Sequence, residues 1–139
     1  MAGSRTGFKT RRSGSPLVLL RASAGVVLAT VLLGLVLVAL YARSHGRLIR
    51  LVGPVHGIFG VAALLLLILA LRGPLPGAQT GVSGFGPAAA VFLAFAVLAG
   101  LWVRSVGIRK LDPMLPIGIH ATLAIFGAVL LAACASIAR

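Results

Sequence analysis

The chain carries a single acidic residue, Asp112, against thirteen lysines and arginines. One carboxylate cannot supply the paired groups of general acid and base catalysis, and no nucleophile, base and orienting acid can be assembled around a serine. Asp112 precedes Pro113 in a loop, so no apolar segment holds a carboxylate for proton or sodium coupling, as secondary transporters need. Cysteine is equally scarce: Cys134 stands alone in an apolar stretch, which excludes a disulfide and a thiolate metal cluster and leaves a packing role. Aromatic residues make up 6% of the chain and do not alternate with the basic ones. A net charge of +12 therefore does not read as a nucleic-acid groove, which would need rings on which bases stack.

What the chain does have is apolar residues, 60% of the total, with a mean hydropathy of +1.14. That composition belongs to an integral membrane protein in contact with the lipid bilayer. Four apolar runs are separable, at about 17–42, 51–71, 87–103 and 114–138. Each approaches the ~20 residues of a spanning helix, and backbone groups in hydrocarbon must be satisfied within the segment. The expected fold is all-α, a four-helix transmembrane bundle at 17–138, following a disordered basic tail at 1–16. The motif Gly81-x-x-Gly84-x-Gly86 has no strand before it and reads as a linker.

The tail holds Arg5, Lys9, Arg11 and Arg12, yet the apolar run behind it is too long for a cleaved signal. It reads as a retained anchor, and a bacterial inner membrane is the expected location. Arg43, Arg47, Arg50, Arg104, Arg109 and Lys110 lie on one side of the bundle; the tail, Arg72 and Arg139 lie on the other. These sets hold six each, or seven on the tail side if Arg21 reaches back to it. The charges next to the first helix, which usually dominates, favour a cytoplasmic amino terminus.

A repeat cuts across this pattern. Leu40-Tyr41-Ala42-Arg43-Ser44-His45-Gly46 is matched 61 positions later by Leu101-Trp102-Val103-Arg104-Ser105-Val106-Gly107. After each copy a new apolar run opens and soon presents a histidine, His56 or His120. The expectation is two repeated helical hairpins of like orientation, bringing both histidines in from one side of the membrane. His45, with Val106 in the matching place, reads as a solvated loop residue.

Small residues share the helical face of each histidine: Gly53, Gly60 and Ala63 with His56; Ala124, Gly127 and Cys134 with His120. Two such faces opposed would leave recesses for a flat macrocycle, with Gly60 and Gly127 beside it and a neutral imidazole ligating iron from either side. This gives one reading: a small b-type haem protein with His56 and His120 as axial ligands, exchanging electrons with a quinol or a membrane redox partner. The rival reading is a non-catalytic subunit or scaffold whose histidines hydrogen-bond across helices. No catalytic residues are assigned under either.

The pattern Pro54-Val55-His56-Gly57-x-x-Gly60, with Gly118-Ile119-His120-Ala121 in the last run, resembles a class of small bacterial four-helix membrane proteins. The general plan over 17–138 is similar to membrane cytochromes of the b561 type, whose four-helix core binds haem. That class uses two histidine pairs, one near each membrane face. The first and third runs here contain no histidine, so the resemblance implies at most one haem.

Overall fold

The computed structural model describes residues 16–73, 82–108, 112 and 114–138. The basic tail up to residue 15, most of the uncharged middle loop, Arg109, Lys110 and Arg139 lie outside the described residues. Four helices follow one another: α1 (Pro16–Ala42), α2 (Gly46–Leu71), α3 (Val82–Ile108) and α4 (Met114–Ile137). All four are long and apolar enough to cross a membrane, consistent with an integral membrane protein. At ~1.5 Å per residue they measure roughly 36–40 Å, more than the ~30 Å hydrocarbon layer.

That excess explains why α2 and α3 are longer than their apolar runs. Arg47 and Arg50 lie in the first turns of α2, and Arg104 lies within α3. Long basic side chains can lay their stems along the helix and keep their charge in water, so the helix outlasts the apolar pattern. At its other end α3 takes in Val82 to Gly86, with Pro87 inside the helix. Gly84 and Gly86 are thus helical and not linker. A Cβ at Gly86 would stand 2.5 Å from Leu71 Cδ2, so glycine permits the close approach of α3 to the end of α2.

The α1–α2 connection is three residues long. His45 N–H donates to Leu40 O and Ser44 N–H donates to Tyr41 O, both at 3.0 Å, a Schellman arrangement that satisfies the last carbonyls of α1. Ser44 sits in the left-handed region with φ 58°, where glycine is the usual occupant. Ser44→Gly is expected to raise stability by about 1 kcal/mol by removing the Cβ penalty. Thermal unfolding in detergent micelles checks this; an unchanged or lower midpoint would refute it. The single acid also has a local task, since Asp112 Oδ1 accepts the Met114 N–H at 3.0 Å and caps the first turn of α4.

Sequence copies 61 residues apart do not take the same shape. Leu40–Gly46 spans the end of α1, the turn and the first residue of α2, whereas Leu101–Gly107 is helical throughout. Ser105 accordingly makes a helix-internal bond, its Oγ donating to Trp102 O at 2.8 Å.

Packing joins α1 to α2 and α3 to α4 most extensively, with lighter contacts between α2 and α3 and between α1 and α4. The helices thus form a ring in chain order, and α2 faces α4 across the diagonal. In the first pair, buried Ser23 donates its Oγ to Ala63 O at 3.0 Å; in the second, Phe92 and Phe126 stack at 5.8 Å. The core is lopsided. Leu20, Val27, Ala63, Leu67, Ala70, Ala89, Leu93, Leu131, Cys134 and Ala138 form the buried cluster. All lie toward the end where α1 and α3 begin and α2 and α4 finish. The opposite end, which holds the histidines, is outside this cluster: Ala99, Val106 and Pro116 are buried there, while Leu48, Leu51, Val55, Leu101, Trp102, Met114 and Leu115 are exposed.

Candidate functional site

His56 occupies α2 and His120 occupies α4, on diagonally opposed helices, and their rings meet across the bundle with centroids 5.8 Å apart and planes at 77°. Each imidazole also reaches sideways to its hairpin partner. The bond between His56 Nδ1 and Thr30 O is 3.1 Å, and that between His120 Nδ1 and Ala96 O is 2.7 Å. A carbonyl oxygen only accepts, so Nδ1 carries the proton in each bond. In the neutral imidazole Nε2 is then left with the lone pair. Such an anchored Nδ1–H is what fixes ring and tautomer in a metal-ligating histidine.

Glycine makes this approach sterically feasible. A Cβ at Gly34 would lie 3.2 Å from His56 Cε1, and one at Gly100 would lie 3.2 Å from His120 Cε1. The rings therefore rest against bare backbone on α1 and α3, one turn from the carbonyls they bond. On α1 and α3 the contacts share one interval, Thr30 to Ala96 and Gly34 to Gly100 each being 66 positions, whereas His56 and His120 are 64 apart.

The glycines expected beside the cofactor behave differently. A Cβ at Gly60 would touch only Thr30 Cγ2, at 3.8 Å. At Gly127 it would collide with Leu93, 2.8 Å from Cγ and Cδ2 and 3.2 Å from the backbone nitrogen. Gly127 is therefore a contact between α3 and α4 in the closed half of the bundle. No atom lies within 4 Å of a Cβ built at Gly53. His45 is exposed at the start of α2, and its side chain caps nothing. The shallow groove formed by Met114, Leu115, Gly118, Ile119 and Thr122 opens on the side of α4 away from His120 and adds nothing to the site.

Gly34, Gly100, Thr30 and Ala96 were not among the residues the sequence singled out. Their only trace there is an isolated glycine in Leu33-Gly34-Leu35 and in Ala99-Gly100-Leu101, each followed by large apolar side chains. Among the described residues no group of three or more His, Cys, Asp or Glu side chains could hold a metal ion. A bare cation would thus find two nitrogens and little else. A metal that brings its own equatorial ligands needs only those two. Comparison with protein-family models, curated proteins and solved structures finds no match for this chain.

Proposed function

We propose that this protein is a small integral membrane haem protein with one bis-histidine site, His56 and His120 being the axial ligands of a haem b. The observation that carries the reading is the pair of diagonal imidazoles, each held by its Nδ1–H to a neighbouring helix with Nε2 left as the lone-pair nitrogen. Two imidazoles that share one metal through bonds of ~2.0 Å have ring centres about 6 Å apart. The observed 5.8 Å is close to that. The buried cluster at the other end bounds how deep a flat group lies.

When bound, the haem supplies reversible one-electron chemistry, and a quinol or a membrane redox partner is the proposed source of the electron. The chain's own residues do the rest. The Thr30 and Ala96 carbonyls orient the rings and strengthen them as ligands, Gly34 and Gly100 let the ring edges come close to the backbone, and the apolar half of the bundle keeps water from one side. One site does not by itself carry electrons across the whole membrane. The proposed setting is a bacterial inner membrane with the amino terminus in the cytoplasm, and the like placement of the two histidine contacts on α1 and α3 supports two repeated hairpins.

The second reading, a scaffold with structural histidines, is favoured by the satisfied Nδ1 of both rings, since each bond also joins two helices. Purifying the protein in detergent from haem-replete cells and recording a reduced-minus-oxidised spectrum separates the two. A low-spin b-type spectrum near one haem per chain is expected; a protein without haem overturns the cytochrome reading and leaves the scaffold.

A further inference from the structure

Haem b is apolar except for two propionate carboxylates, and the bundle offers them one direction. Toward the closed end lie the buried Ala63, Leu67, Leu93 and Leu131, among which an ionised carboxylate has no partner. The described basic residues at that end, Arg21 and Arg72, are exposed beside the buried cluster and not within it. Toward the other end the described basic residues are Arg43, Arg47, Arg50 and Arg104, all exposed. The acid at that end, Asp112, is engaged with the Met114 amide.

Helical register singles out one of the four. Arg104 follows Gly100, the residue on which the His120 ring rests, by four positions. It therefore lies on the same face of α3, about 6 Å nearer the membrane surface. Arg50 is six residues before His56, about 120° around α2 from it, and Arg47 is nine residues before it, on the opposite face. Arg43 lies in the turn beyond the end of α1. An arginine stem of this length spans one helical turn, and its planar fork matches a carboxylate.

We propose that Arg104 holds a haem propionate carboxylate, so that both propionates point to the histidine end of the bundle; this rests on the bis-histidine reading above. The shared chemistry is an anionic oxygen group, which a lipid phosphate could also provide, and the test separates the two sources.

Full-length protein in detergent is loaded with haem b or with its dimethyl ester, whose carboxylates are blocked, and the rate of haem transfer to an excess of apomyoglobin is followed. Wild type is expected to release the ester about tenfold faster than haem b, as loss of one charge-assisted contact implies. Arg104→Gln is expected to release haem b nearly as fast as the ester while keeping the low-spin spectrum. Arg104→Lys should fall between, and Arg72→Gln, at the opposite end, should behave as wild type. If Arg104→Gln still discriminates as wild type does, the assignment is overturned and Arg104 serves only lipid headgroups. Wild type that takes up neither compound with a low-spin spectrum overturns the haem reading itself, and the assignment with it.

Discussion

Alanine at either His56 or His120 is expected to abolish the low-spin haem spectrum completely, and alanine at both to do nothing more. Six-coordinate low-spin iron needs both axial nitrogens, and no third histidine can substitute, because His45 lies exposed just before α2, eleven residues ahead of His56. Under the scaffold reading the magnitudes differ in kind. An interhelical hydrogen bond within a membrane contributes about 0.6 kcal/mol on average. Each of the two bonds ties a different hairpin, one to Thr30 O and one to Ala96 O. The single variants would then each lose a fraction of a kcal/mol, and the double variant would depart from their sum because the two rings are in contact. Absorbance of the purified variants and their unfolding midpoints provide both readouts. A low-spin spectrum surviving in one single variant would refute the pairing.

The two glycines that share faces with the histidines should respond very unequally to alanine. At Gly127 the new methyl group would stand 2.8 Å from two carbons of Leu93 and 3.2 Å from its backbone nitrogen. Side chains can turn aside, but the backbone of α3 cannot retreat without opening the α3–α4 interface, and overpacking of this kind costs about 1–3 kcal/mol. At Gly60 the methyl group would make an ordinary 3.8 Å contact with Thr30 Cγ2. Replacing an interior helical glycine there is expected to be neutral, or to stabilise by up to about 1 kcal/mol. Unfolding in graded denaturing detergent measures both. Equal losses at the two positions would show that they are equivalent, as the sequence suggests, and that the α3–α4 contact is looser than described.

Much of the architecture is readable from residue order because the bilayer imposes it. A run of ~20 apolar residues has no stable form in hydrocarbon other than a helix. The four runs, their number and the placement of His56 and His120 in the second and fourth follow from that constraint. Helix ends do not, since hydropathy marks where the hydrocarbon stops and not where the backbone stops turning. Arg47, Arg50 and Arg104 fall beyond the apolar runs and inside the helices for that reason. The seven-residue repeat misled in detail as well: its interval of 61 relates a turn to a helix, while the residues that the histidines touch on α1 and α3 are 66 apart and the histidines themselves 64.

The sequence by itself determined an apolar chain of four helices, with its one acid kept out of the helices and two histidines that approach from the same side. Only the tertiary structure decided what each histidine touches. Gly34, Gly100, Thr30 and Ala96 are unremarkable residues in long apolar helices, and they matter because the crossing of α1 on α2 and of α3 on α4 sets them under the two rings. The lopsided core was likewise invisible in composition, which is evenly apolar along every helix. Which turns interlock depends on where small side chains from two helices meet, as at Gly127 and Leu93, and that is a property of pairs of helices and not of any one of them.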